Sequence, residues 1–287
     1  MSIAAKSRLP MRIIALPLTS SVRGTRHAEG PSPLVYYHFQ MPPKTENVRN
    51  GWVDWATGKA SGLWAQFGKA PENTWKFKVF TYGERLVDRV EFEELALKGV
   101  DPSMGPKISH PRNPSEEQKK GAIIPLVHPK FVDTALLSHL ETLLSRRTPR
   151  HRKGFYTWML LAPLTAPFML IPVIPNLPFF FCVWRSWSHY RAYKASDYLH
   201  SLLQRGAIVP HSSTDLDDIY LTHAPSDKLR NEIKTGVGEK EEHESKKEEK
   251  KVLLRREAVP RILELFGLPV SAASDIYRAI EQASHRL

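Results

Sequence analysis

The longest stretch of the chain without an Asp, Glu, Lys, Arg or His residue runs from Gly154 to Trp184. A soluble domain would use most of one core to bury it, so the pattern favours lipid as its solvent. An unbroken helix over residues 155–184 would measure about 45 Å, against roughly 30 Å of hydrocarbon in a bilayer. Interior prolines each cost a helix about 3 kcal/mol, and this stretch contains Pro163, Pro167, Pro172, Pro175 and Pro178.

The pattern predicts a proline-rich, membrane-embedded segment at 155–184, with two possible geometries. One is a single kinked span, and the other is a re-entrant helical hairpin. The hairpin would turn at Pro172, Pro175, Asn176 and Pro178. Basic residues on both flanks favour the hairpin, because the positive-inside rule then places both flanks in one compartment. A buried proline-rich hairpin in a soluble protein is the remaining alternative.

Cations flank the apolar stretch on both sides and are interleaved with aromatic residues after it. This combination is typical of the lipid headgroup layer, where aromatic rings occupy the boundary and cations meet phosphate. We therefore predict contact with the anionic headgroups of a lipid bilayer. The predicted headgroup-binding residues are Arg150, Arg152, Lys153, Arg185, Arg191 and Lys194.

The remainder of the chain indicates short strands and several helices. The apolar runs at 12–18 and 34–39, separated by a loop that contains glycine and proline, predict a small N-terminal β-hairpin. Ser213 or Thr214 with Asp217 predicts the start of a helix. The predicted fold is a mainly α membrane protein. Its predicted regions are a targeting segment at 1–10, an α+β region at 11–120, the membrane segment with its flanking helices at 121–210, and a charged tether with C-terminal helices at 211–287.

Composition narrows the class of partner. The net charge of +11 and the pI near 9.7 suit an anionic partner, but no zinc-finger spacing or RNA-binding signature indicates nucleic acid. The first acidic residue is Glu29, and the basic residues before it resemble a mitochondrial transit peptide. The single cysteine, Cys182, excludes a disulfide within one chain.

No enzyme signature is found in the sequence. It has no phosphate-binding glycine loop, no zinc-protease helix and no nucleophile elbow, and its twelve histidines show no metal-ligand spacing. Asp215, Asp217 and Asp218 lack the glycine and closing glutamate of an EF-hand. We therefore predict a protein that is not an enzyme and that has no metal or cofactor.

Four motifs resemble the mitochondrial K+/H+ exchange-related family. They are the sequences MRIIALPLT at 11–19, PLTAPF at 163–168, PVIPNLPF at 172–179 and WSHYRA at 187–192. The resemblance spans roughly 11–209, and its most specific part is the proline-rich segment with the aromatic-basic helix after it. It implies a mitochondrial inner-membrane protein connected with potassium/proton exchange and organelle volume.

The residues limit what this resemblance implies. An antiporter normally needs a titratable group facing its pathway, and 155–184 has no carboxylate. We therefore expect a subunit or regulator of exchange, or a chain that exchanges ions only as an oligomer. Its expected partner is another protein or further copies of itself. The alternative is a membrane-anchored scaffold that binds a partner through the charged region at 234–251 and the C-terminal helices.

Overall fold

The computed structural model describes residues 10–19, 34–42, 51–106, 123–132, 136–167, 177–224 and 252–287. These residues form four strands, eight α-helices and a 3-10 helix at Arg256–Ala258. The strands are β1 (Arg12–Pro17), β2 (Val35–Gln40), β3 (Ile124–Pro129) and β4 (Ile208–Ser213). The helices are α1 (Gly51–Gly68), α2 (Trp75–Asp88), α3 (Phe92–Lys98), α4 (Leu136–Thr165), α5 (Leu177–Gln204), α6 (Thr214–Thr222), α7 (Val259–Phe266) and α8 (Ser271–His285). The chain divides into two compact units, one of Met1–Leu9 and Pro42–Glu91 and the other of Pro10–Met41 and Phe92–Leu287.

The smaller unit is built on helices α1 and α2. Trp64 of α1 packs against Phe80 of α2 with ring centroids 5.3 Å apart, and its indole N–H donates to Glu84 at 2.8 Å. Gly83 permits this contact, because a Cβ there would lie 2.3 Å from the Trp64 ring. Thr74 caps α2 by accepting from the backbone N–H of Phe77.

A mixed four-stranded sheet organises the larger unit, in the order β2-β1-β3-β4. Strands β1 and β2 pair antiparallel, with Arg12 opposite Gln40, which confirms the predicted hairpin. Strand β3 pairs parallel with both β1 and β4. The central strand β1 is apolar on both faces because both faces are covered.

Helices cover the sheet on both sides. On one side, Ile14 and Leu16 of β1 share a core with Leu216 of α6, Ile262 of α7 and Ile276 of α8. Ser213 caps α6, as predicted, by accepting from the backbone N–H of Leu216.

The opposite face of β1 meets the two longest helices. Ile13 and Ala15 share their core with Leu140 and Leu144 of α4 and with Leu199 of α5. Adjacent residues of β1 therefore anchor different helix layers, as the two-residue period of a strand requires. The larger unit is an α/β layered fold in which the sheet holds the base of α4 and α5.

The predicted fold class, a mainly α membrane protein with a proline-rich membrane-embedded segment, is therefore wrong. Among the residues that the structure describes, no helix is both long enough and apolar enough to cross a bilayer. The physical reason is that α4 begins long before the apolar stretch, so that only its last part is apolar. Its 30 residues include the cationic stretch at 146–153, and Pro149 and Pro163 lie inside the helix without ending it. In α5 the run without charged residues or histidine likewise ends before Arg185, far from the end of the helix.

Strand β2 provides a prediction for the pH dependence of stability. Burial and the nearby charge of Arg12 lower the pKa of His38 to about 4, whereas an unfolded histidine has a pKa of about 6.5. The unfolded chain therefore binds more protons between these values, and stability is lost as the pH falls from 6.5 to 4. We expect His38 to account for about 2 kcal/mol of that loss. Denaturant titrations at several pH values should show a shallower decline for His38→Gln, and an unchanged decline would contradict the assignment.

Candidate functional site

Three ionisable side chains from three helices meet inside the larger unit. Glu94 lies on α3, His151 on α4 and His189 on α5, and only 4%, 1% and 7% of their respective surfaces is exposed. One ligand atom from each residue lies within 4.8 Å of a ligand atom of the other two. Groups of this kind are seldom buried unless they are paired or bind something, so this buried triad is the candidate functional site.

Helix α3 brings Glu94 to the site. Phe92 and Leu97 are each 1% exposed and fix the helix in the two cores, while the backbone N–H of Phe92 donates to Gln282 of α8 at 3.0 Å. Glu94 is in the first turn of α3, where the helix dipole favours a carboxylate.

Helices α4 and α5 run antiparallel and place the two histidines opposite each other. Along their interface, Thr148 bonds Ser196 at 2.6 Å, and the hydroxyl of Ser186 donates to the carbonyl of Phe155 at 3.2 Å. Between these contacts the Nδ1 atoms of His151 and His189 lie 3.1 Å apart. Small side chains at this interface allow the close approach of the helices that brings the two rings together.

A glycine makes room for one of the rings. A Cβ at Gly154 would lie 2.8 Å from Nε2 of His189 and 2.9 Å from Cδ2 and Cε1. The His189 ring therefore packs against the backbone of α4, and no larger residue fits at Gly154 unless the ring moves.

Glu94 is held in its ionised form by two donors. Arg185 donates to both carboxylate oxygens, with Nη2 and Oε2 3.1 Å apart, and Ser188 donates to Oε1 at 2.9 Å. Burial opposes ionisation, but the hydrogen bond and charge of Arg185 outweigh it, so the pKa of Glu94 lies below its usual range. The site therefore contains a buried carboxylate that is ionised at neutral pH.

The histidines have the opposite tendency. Burial lowers the pKa of His151 to about 4, and burial followed by the charge of Arg185 lowers the pKa of His189. Both imidazoles are therefore neutral at pH 7, and the contact between their Nδ1 atoms contains one proton. The Nε2 atom of His151 is buried without a hydrogen-bond partner among the described residues.

The neighbouring Glu93 forms a second charged contact. It pairs with Arg147 of α4 at 3.4 Å and with Arg286, just beyond α8, at 3.0 Å. Its Oε2 atom is buried without a partner in the described part of the chain. A cavity of about 10 Å³ lined by Glu93, Tyr37 and Leu143 has room for about one water molecule. Glu93 thus ties the two helix layers together beside the triad.

The residues predicted to bind headgroups fall into two groups. Arg150, Arg152 and Lys153 are exposed on α4, and Lys194 is exposed on α5. The other two contact α3: Arg185 pairs with Glu94, and Arg191 donates to the carbonyl of Lys98 at 2.5 Å. The lipid-binding role of all six residues stays a prediction.

The residues predicted to form the turn are only partly described. Pro178 is the second residue of α5, where a proline's missing N–H leaves no helical hydrogen bond unmade. Pro172, Pro175 and Asn176 lie outside the described residues.

The ends of α4 and α5 beyond the triad expose many large apolar side chains. We call this surface the apolar tip. Leu160 and Leu164 are each 71% exposed. The exposed residues of the tip are Tyr156, Met159, Leu160, Leu161, Leu164, Phe180, Val183, Trp184 and Trp187. Contiguous apolar surface of this kind marks a site of interaction with a protein or a membrane.

Sequence reasoning missed the triad because its members are far apart in the chain and on different helices. The histidines do not have the spacing of a metal motif, and Glu94 resembles an ordinary charge in the first turn of a helix. A weak signal was present in the pattern of small residues. Gly154, Ser186 and Ser188 interrupt otherwise bulky sequence and indicate the close helix contact that holds the site.

Comparison with known proteins identifies one matching family and two distant relatives. The sequence profile of the family described as mitochondrial K+-H+ exchange-related matches residues 12–203. An uncharacterised protein of Saccharomyces cerevisiae is 24% identical over 68% of this chain, and the match covers 63% of the relative's length. An uncharacterised protein of Schizosaccharomyces pombe is 26% identical over 65% of this chain and 72% of its own. No solved structure matches the chain significantly.

Proposed function

Because this chain belongs to the mitochondrial K+-H+ exchange-related family, we propose that it is an accessory subunit or regulator of potassium/proton exchange at the mitochondrial inner membrane. In this proposal the protein attaches to the lipid surface through the apolar tip of α4 and α5. The description of the family supports a role related to potassium/proton exchange in mitochondria. The exposed tip is the observation that supports a lipid partner.

The chemistry of the tip suits the outer layer of a bilayer. Fully burying one large apolar side chain contributes about 1.5–3 kcal/mol, so burying even part of the tip would provide strong attachment. Trp184 and Trp187 are 36% and 39% exposed at its border, and tryptophan prefers the boundary between hydrocarbon and water.

Basic residues follow the tip along α4. Arg150, Arg152 and Lys153 are exposed about two to three turns before Leu160, and a cation close to an anionic membrane contributes about 1 kcal/mol. Apolar side chains followed by cations match the order of layers from lipid tails to headgroups. This order favours an anionic lipid surface over an uncharged protein partner.

The accessory role is supported by the absence of carboxylates, histidines and basic residues from the tip sequence. Proton-coupled exchange needs a titratable group at which proton and cation compete, and residues 154–184 contain no Asp, Glu, His, Lys or Arg. The titratable groups of the triad are buried between helices. We therefore assign ion movement to a partner and membrane attachment to this chain.

The scaffold alternative has less support from the fold. It requires the C-terminal helices to offer an apolar face to a partner. Ile262 of α7 and Ile276 of α8 are 0% exposed and lie in the core beneath β1, so the apolar faces of these helices are used within the chain.

Vesicle binding tests the proposal. Purified protein should sediment with vesicles that contain anionic phospholipid, and Leu160→Asp/Leu164→Asp should weaken binding at least tenfold, because two charges would have to enter the apolar layer. Val270→Asp is the matched control, since Val270 is 85% exposed but lies outside the tip. It should bind like the unmodified protein. Equal vesicle binding by the tip variant and this control would refute attachment through the tip.

A further inference from the structure

We propose that Glu94, His151 and His189 bind a transition-metal ion of the zinc class. This inference goes beyond the proposed function, since it concerns the buried triad and not the apolar tip. It makes the junction of α3, α4 and α5 a metal centre.

The distances in the triad suit such an ion. Zinc binds imidazole nitrogen at about 2.0–2.1 Å, and two nitrogens of a tetrahedral site therefore lie about 3.3 Å apart. The Nδ1 atoms of His151 and His189 are 3.1 Å apart, and a ligand atom of Glu94 is within 4.8 Å of a ligand atom of each histidine. Two imidazoles and one carboxylate supply three ligands and leave a fourth position for water.

Metal binding changes where the ring protons lie. A ring nitrogen binds a metal only when it carries no proton. Binding through both Nδ1 atoms places each ring proton on Nε2. One histidine therefore changes tautomer, and no proton is released at neutral pH.

The second observation is that an imidazole at the position of His151 costs stability. The metal would bind its Nδ1 atom, so the Nε2 atom stays without a partner in the metal-bound form as well. His151 is 1% exposed, and its Nε2 atom has no hydrogen-bond partner in the described part of the chain. A buried polar atom of this kind costs about 1–3 kcal/mol. Packing alone does not explain why an imidazole is placed here, whereas an isosteric apolar side chain would avoid the cost.

The charges around the triad define the class of metal. Arg185 and Ser188 bond the Glu94 carboxylate and act as the outer-shell partners that orient ligating carboxylates. The cationic side chains of Arg185 and Lys98 also repel a metal ion, so a cation that depends on charge alone is disfavoured. Calcium and magnesium need several oxygen ligands, and two nitrogens with one carboxylate suit zinc or a similar borderline metal.

Metal titration of the purified full chain tests this proposal. Isothermal titration with Zn²⁺ should give one ion per chain. His151→Gln and His189→Gln should each weaken zinc affinity at least a hundredfold, and Glu94→Gln at least tenfold. The control is His128→Gln, because His128 is 9% exposed and its Nδ1 contacts the carbonyl of Pro129, away from the triad. Its zinc affinity should be unchanged.

A second measurement does not depend on how the variants fold. Co²⁺ added to the unmodified protein should give the visible absorption of a four-coordinate site with nitrogen and oxygen ligands, and Zn²⁺ should remove it. Failure to bind one Zn²⁺ per chain, or a cobalt spectrum that matches the hydrated ion, would overturn the proposal. So would folded triad variants that bind zinc like the unmodified chain. These results leave vesicle attachment untouched, so the two proposals fail separately.

Discussion

Replacing Arg185 with methionine should lower the free energy of unfolding by about 3 kcal/mol in the presence of EDTA, which keeps metal ions out of the triad. The guanidinium pairs with Glu94, whose side chain is 6% exposed. Methionine retains much of the apolar volume, but it leaves an ionised carboxylate in the core that has lost its cationic partner and keeps the hydrogen bond from Ser188. Loss of a charged partner in such a place usually costs 3–5 kcal/mol. Denaturant unfolding followed by circular dichroism measures the change.

A double-mutant cycle separates the pair from the packing of either residue. Glu94→Gln removes the charge, so adding Arg185→Met in that background should cost much less than it does alone. The exposed control pair is Arg261 and Glu264, which are 3.2 Å apart. Arg261→Met should change stability by less than about 0.5 kcal/mol. Equal costs for Arg185→Met with and without the Glu94 charge would contradict the assigned role of the pair.

Gly154→Ala should destabilise the protein by about 2 kcal/mol, although alanine is the better helix former by about 1 kcal/mol. The added methyl would lie 2.8–2.9 Å from three atoms of the His189 ring. The contact between Nδ1 of His189 and Nδ1 of His151 restrains that ring. Overpacking at a buried helix contact of this kind costs about 1–3 kcal/mol. Thermal and denaturant unfolding provide the measurement.

The effect of Gly154→Ala on the free energy of unfolding should change sign when the His189 ring is absent. In a His189→Ala background the methyl no longer meets the ring atoms closest to it, so Gly154→Ala should be neutral or stabilise the helix by up to about 1 kcal/mol. If the substitution destabilises both backgrounds equally, the contact between Gly154 and His189 does not set the spacing of α4 and α5.

The sequence pattern correctly predicted those strands and helix ends that depend on residues close together in the chain. The apolar runs at 12–18 and 34–39 predicted the antiparallel pair β1–β2. Gly267 separates α7 from α8 in the left-handed conformation that glycine tolerates. The predicted helix start at Ser213 depends on one side-chain hydrogen bond to the backbone of Leu216, which sequence reveals directly.

The predicted membrane segment is wrong because the hydropathy of a stretch does not show where the helix that contains it begins and ends. Residues 155–165 have the polarity of a membrane segment but form the last third of α4, whose earlier turns are cationic and held by the sheet core. The parallel pairing of β3 with β4 brings together strands that are far apart in sequence. No local pattern specifies that register.

The triad was beyond sequence reasoning for a related reason. Glu94, His151 and His189 converge only after α3 is fixed in both cores and α4 packs against α5. Each residue alone has an ordinary surface or core explanation. The three side chains form a site only because their helices pack together, and the sheet fixes the positions of those helices.

The fold connects the triad to the apolar tip through two helices. The base of α4 and α5 is fixed on the sheet by Leu140, Leu144 and Leu199, the triad locks their middle, and the tip extends beyond it. The apolar side chains of the tip lie on helices that are already packed against each other, so docking on lipid would require little further ordering of the backbone. This arrangement explains why buried polar chemistry and exposed apolar surface occur on the same pair of helices.

The central claim is that the apolar tip is the surface through which this chain serves potassium/proton exchange. Potassium-driven proton exchange measured in mitochondria from cells that lack the chain tests it most directly. The unmodified chain and Val270→Asp should restore the exchange rate, whereas Leu160→Asp/Leu164→Asp, present at the same level, should not. Restoration by the tip variant to the rate of the unmodified chain would contradict the account.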